Sequence, residues 1–140
     1  MGIIKKLNKW ANRHTYWSLD ILRMALGLFL VVKGFQFVGN SQKLYQMVES
    51  ADSIAGSIIA IHYIAPAHLV GGLLIFVGLL TRWATIAQLP ILIGAIMVNI
   101  SIDNEGTELL LSVVTLILCL FFTFYGSGKR SADYSFGMQQ

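Results

Sequence analysis

Charged residues are scarce in this chain: Asp, Glu, Lys and Arg make up 12% of its 140 residues, against about 25% in an average soluble domain. With 56% hydrophobic residues, too little polar surface is present to cover a water-soluble globule, and the composition points to a membrane. Cysteine is nearly absent too. Cys119 stands alone, which excludes an intrachain disulfide, and without a CxxC pair the chemistry of intramembrane thiol oxidoreductases is excluded as well. Proline occurs twice, at Pro66 and Pro90, both within apolar runs where it bends a helix. Internal repeats, low-complexity tracts and linkers are lacking, so residues 1–140 read as a single domain.

The charges that are present are segregated. Lys5, Lys6, Lys9 and Arg13 crowd the N-terminus, Lys129 and Arg130 lie near the other end, and long stretches between carry none. The net charge of +3 and the pI of about 9.2 therefore read as a membrane-surface signature. Nucleic acid is excluded as a partner, since no part outside the membrane is large enough to hold a duplex. Residues 1–16 interleave the basic side chains with Ile3, Ile4, Leu7 and Trp10, an amphipathic segment suited to an anionic leaflet. The apolar run after it is long for a signal peptide and is followed by no small-residue cleavage site, so it reads as retained.

Four stretches suit a hydrocarbon core of about 30 Å at about 1.5 Å per residue: about 17–39, 58–81, 83–101 and 107–125. The second is expected to be one helix kinked at Pro66, because Pro66 to Arg82 alone is short for a crossing. The turn into the third is expected around Thr81 to Trp83. Residues 40–52 form the largest extramembrane connection, and the tail 126–140 is polar and reads as mobile. Basic residues counted loop by loop place the Arg82 turn and both termini in the cytoplasm. The fold expected is all-α and polytopic, a bundle of four transmembrane helices.

Each span gathers its small and polar residues on one face. Asp20, Arg23, Gly27, Leu30 and Gly34 share the first seam. Read as one helix, HLVGGLLIFVGLLTR puts His68, Gly72, Ile75, Leu79 and Arg82 on one side, flanked by Gly71 and Gly78. Gln88, Leu92, Ala95 and Asn99 line the third, and Glu108, Ser112, Thr115, Cys119 and Phe122 the fourth. Such faces suit a neighbouring helix and not lipid. Lys33 lies off its seam, where its stem can snorkel to the headgroups.

ALGLFLVVKG after Arg23, then GGLLIFVGLLTRWA and QLPILIGAIMV, together resemble the DoxX family of small four-helix bacterial membrane proteins, over roughly Leu22 to Tyr125. The resemblance implies a multi-pass protein of the bacterial cytoplasmic (inner) membrane. It also implies a link to a membrane thiosulfate:quinone oxidoreductase and to oxidative-stress systems. Two positions depart from the family pattern. His68 stands where many members have a glutamate before the glycine pair, and Phe37 where a lysine often follows the first-span glycine.

Ionisable groups inside a bilayer cost about 2.5–3.5 kcal/mol each on insertion scales, so every inward-facing one asks for a role. On the cytoplasmic side, Asp20, Arg23 and Arg82 read as a structural charge clamp joining the first two spans, with an anionic headgroup or cofactor site at the arginines as the alternative. On the outer side, His68 is the candidate ligand-binding residue, with Glu108 or Asn99 as its hydrogen-bond partner and Gln36 in the same layer. Imidazole titrates near neutral pH, and quinol oxidation must release protons. The plainer reading makes His68 a hydrogen-bonded packing residue. No metal site is expected, because His62 and His68, six apart, lie far around a regular helix from each other, and no residue stands out as catalytic. The functional expectation is a membrane subunit or scaffold without catalysis of its own. Its partners would be membrane lipids, subunits of a redox complex and a second copy of itself, with quinone the one cofactor in view. The alternative is a quinone- or lipid-binding protein with its site near His68.

Overall fold

Backbone in hydrocarbon must satisfy its own hydrogen bonds, and runs rich in Leu, Ile, Ala and Phe do so as helix. A computed structural model describes residues 2–14, 16–40, 42, 54–101 and 106–137 of the chain. Among them are α1 (Gly2–Arg13), α2 (Trp17–Gly39), α3 (Ile54–Val77), α4 (Thr81–Ser101), α5 (Gly106–Tyr125) and the single turn α6 (Ala132–Ser135). The described residues contain no strand. Helices α2 and α5 are long and apolar enough to span a membrane, and α3 and α4 contain the shorter apolar segments His62–Val77 and Thr81–Met97. The loop expected at 40–52, apart from Asn40 and Gln42, lies outside the described residues.

The burial pattern is inside out relative to a soluble protein. Leu28, Phe35, Val70, Leu73, Ile93, Ile117 and Phe124 are exposed, while Asp20, Arg23, His68, Thr85, Gln88, Asn99 and Thr115 are buried. Exposed apolar side chains on every long helix together with a buried polar interior are what lipid as solvent demands. Packing is most extensive between α2 and α3 and between α4 and α5. The contact of α3 with α4 joins the two pairs, and a thinner contact of α2 with α5 closes the circuit.

The seam between α2 and α3 is a backbone contact. A Cβ on Gly27 would fall 2.5 Å from Phe76 N and 2.6 Å from Gly72 O, and one on Gly72 would fall 2.8 Å from Gly27 O. Only hydrogen at both positions lets the helices approach this closely. The buried face of α2 comprises Asp20, Arg23, Leu26, Gly27, Leu30 and Gly34, the face that the spacing predicts. Pro66 lies inside a continuous α3.

Two expectations need correction. The stretch from His68 to Arg82 is not one helix: α3 ends at Val77 and α4 already begins at Thr81, so the turn comes three residues early. Gly78, at φ +78°, ends α3 as its N–H bonds Ile75 O at 3.2 Å while the N–H of Leu79 bonds Leu74 O at 2.8 Å. That pair of bonds is a Schellman closure, which requires a left-handed residue and so selects glycine. The tail is also not a mobile segment along its described length. Residues 126–137 fold back over the end of the bundle, and Ser127, Ser131 and Asp133 are buried.

Candidate functional site

At the end of the bundle where α2 and α4 start, the tail supplies what the helix termini lack. The first N–H groups of α4 have no partner within their own helix. Asp133 provides it: Leu80 N–H donates to Oδ1 at 2.7 Å and Thr81 N–H to Oδ2 at 3.4 Å. A carboxylate at a helix N-terminus is favoured by the helix dipole as well as by the hydrogen bonds. Leu80 is held at φ +48°, a left-handed conformation uncommon for a side chain of its size. Ser127 Oγ donates to Asp133 Oδ2 at 2.9 Å, and the N–H of Asp133 bonds Gly78 O at 3.0 Å. Ser131 starts α6, its Oγ accepting from Tyr134 N–H at 3.3 Å and donating to Gly128 O at 2.7 Å.

The three residues of the expected charge clamp lie around this cap. Asp20 and Arg23, one turn apart on α2, are separated by 3.6 Å. Arg23 is 2% exposed, and its guanidinium donates to the carbonyls of Ser127 and Arg130. Arg82 lies over Gly126, where a Cβ would come within 3.0 Å of its Nε. The Asp133 charge acts on both arginines. The cluster therefore joins α2, the α3–α4 turn and the tail, and not the first two spans alone.

The outer residues divide differently from the expectation. His68 is buried between α2 and α3, its Nδ1–H donating to Ile64 O at 3.1 Å, since a carbonyl can only accept. The Phe37 ring meets it edge-on at a centroid distance of 5.3 Å. Neither Glu108 nor Asn99 is its partner. Glu108 Oε2 takes Lys33 Nζ at 3.1 Å, a bridge from α5 to α2, and Asn99 Nδ2 donates to Ser112 Oγ at 3.3 Å. Lys33 thus pairs across helices, and its ammonium also lies 5.8 Å from the Phe29 ring. Gln36 is exposed. Of the four expected ligand residues, the structure joins Asn99 and Glu108 through Ser112, whose Oγ also donates to Glu108 O at 2.9 Å. His68 stands apart from them and Gln36 points away.

Between the two ends, fully buried Gln88 donates through Nε2 to Ala67 O, tying α4 to α3. A Cβ on Gly71 would meet that amide at 2.4 Å, so Gly71 makes room for the glutamine. Thr123 Oγ1 donates to Thr85 Oγ1 at 2.9 Å from α5 to α4. Among the described residues, no group of three or more His, Cys, Asp and Glu side chains is placed to hold a metal ion. Sequence reasoning missed Ser127, Ser131 and Asp133. The signal was present in Ser131 followed by Asp133, a cap residue and an acid at the start of a helical turn. Lys33 and Glu108 carry no such local signal.

A family model described as DoxX matches residues 18–100, more than half of the chain. No curated protein and no solved structure matches it.

Proposed function

Because the chain belongs to the DoxX family, we propose that it is a non-catalytic membrane subunit, a scaffold within a quinone-linked redox or oxidative-stress complex of the bacterial cytoplasmic membrane. In this reading α2 to α5 all cross the bilayer and both termini lie in the cytoplasm. The observation that carries it is how the polar groups between the helices are used. Lys33 with Glu108, Gln88 with the Ala67 carbonyl, Thr123 with Thr85 and Asn99 with Ser112 each link two helices. A polar interior used as helix-to-helix adhesive favours a structural role, and the exposed apolar side chains leave a broad surface for lipid and for other membrane subunits.

Two measurements test it. The tagged protein purified in mild detergent from its native membrane should bring redox subunits with it in fixed ratio by quantitative mass spectrometry. Recovery of this chain alone would remove the scaffold reading. For the topology, single cysteines at Lys6 and at Lys129 in a Cys119→Ala background should resist an impermeant maleimide in intact cells and react in inverted vesicles. The opposite pattern would reverse the orientation.

A further inference from the structure

Outside the Asp133 cluster lies a second feature, built from the two ends of the chain. A cleft of about 320 Å³ is lined by Asn12, Arg13, Trp17, Lys129 and Arg130, at the small end of the range of about 300–1,000 Å³ for small-molecule sites. Three of its five walls are cationic and none is acidic. Arg13, Lys129 and Arg130 are exposed, and none of the three forms an ion pair among the described residues. The Arg130 charge acts on Asp20, which is buried and paired with Arg23.

The walls are held in place from below. Tyr125 Oη donates to His14 O at 3.2 Å, fixing the end of α1 to the end of α5, and the Trp10 ring lies edge-on to Tyr125 at 6.3 Å. Arg23 Nη2 donates to Arg130 O at 3.5 Å and another of its N–H groups to Ser127 O, which seats the tail. The cations are thus brought together by partly buried contacts between segments more than a hundred residues apart.

We propose that this cleft binds the phosphodiester headgroup of an anionic glycerophospholipid. The inference rests on the membrane reading above and adds to it a defined lipid site. Charge complementarity selects an anion, and a cluster of Lys and Arg beside a membrane-spanning helix is the usual recognition chemistry for lipid phosphate. The position selects a lipid over an ion from solution. Trp17, 71% exposed, opens α2, and exposed Ile21 follows one turn later on the same face. Trp is the residue of the headgroup level, and Trp17 followed by Ile21 gives the acyl chains an apolar path away from the cleft. Helix α1, with exposed Ile3 and Trp10, lies alongside as an interfacial helix would.

The test uses the full chain in phosphatidylcholine nanodiscs containing a minor fraction of phosphatidylglycerol, with retained lipid counted by native mass spectrometry. Arg13→Gln, Lys129→Gln and Arg130→Gln together should weaken phosphatidylglycerol retention roughly a hundredfold, and Lys129→Gln alone about fivefold. All three side chains are exposed, so circular dichroism and gel filtration should be unchanged. The matched control, Lys5→Gln with Lys6→Gln and Lys9→Gln, removes the same charge from α1 outside the cleft and should change retention less than about twofold. Equal loss in the control would overturn the site in favour of diffuse surface attraction. Unchanged retention in the triple variant would overturn it outright, and displacement of the lipid by inorganic phosphate would overturn the lipid as the occupant. Failure of the protein to enter nanodiscs would remove the membrane reading together with this one, whereas entry with no lipid preference would remove this one alone.

Discussion

The rings of Phe37 and His68 meet edge to face, their centroids 5.3 Å apart and their planes at 88°. These are the two positions where the chain departs from the pattern it resembles, and they touch. An aromatic contact stands where the pattern would set a lysine near a glutamate. We expect the two positions to be coupled within the one seam between α2 and α3. Replacing His68 by Glu alone buries a carboxylate where the cation whose charge reaches it, Lys33, is already paired with Glu108, at a cost of about 3–5 kcal/mol. Phe37→Lys added to His68→Glu should recover most of that loss, read as the thermal midpoint in detergent. A double variant no more stable than His68→Glu would disprove the compensation.

Gly27 offers the sharpest packing test. Gly27→Ala puts a methyl group within 2.7 Å of three backbone atoms of α3, so the helices must separate, at about 1–3 kcal/mol. Gly94→Ala, where nothing lies within 4 Å of the added carbon, should be neutral or stabilise by up to about 1 kcal/mol through helix propensity. Buried Cys119 supplies the readout, since its reaction with maleimide should follow unfolding and rise earlier in the Gly27 variant alone.

Lys33 and Glu108 are 3.1 Å apart at a partly exposed edge, so their coupling should be modest. A cycle of Lys33→Met and Glu108→Gln should give an interaction energy of about 1 kcal/mol or less, as for other partly solvated pairs. Denaturant unfolding of the four proteins measures it. A value of several kcal/mol would mean that the pair lies in a drier environment than its exposure indicates.

Asp133→Asn keeps the size of the side chain and removes the charge from hydrogen bonds to Leu80 and Thr81. The expected cost is about 1.5–3 kcal/mol. The tail should then open more often, by a factor of about ten for each 1.4 kcal/mol, exposing the backbone at Lys129 and Arg130. Tryptic cleavage at those two residues should accelerate accordingly while cleavage after Lys5 or Lys6 does not.

The sequence made the helix seams readable because the period of the helix places Asp20, Arg23, Gly27, Leu30 and Gly34 on one side whatever else the chain does. It also placed Pro66 within a single helix. The turn at Gly78 was misplaced because a Schellman closure depends on one left-handed residue, and three glycines in the same stretch offered equal claims to it. The pairing of Glu108 was not legible. A carboxylate at the start of α5 could meet any polar group on its neighbours, and the choice of Lys33, 75 residues away, is fixed by helix packing. Polar composition alone makes the tail read as mobile. What orders it is a set of unpaired N–H groups on α4 and the guanidinium of Arg23, and neither need is visible within the tail itself.

Order of synthesis gives the Asp133 contact a further meaning. Leu80 precedes its acceptor by 53 residues, so the ribosome has finished α4, and α5 after it, before the residue that caps α4 exists. Until then that end of α4 is uncapped, and the capped bundle waits on translation of Asp133. A message truncated just before Asp133 would yield every long helix with the start of α4 left open and without the turn α6.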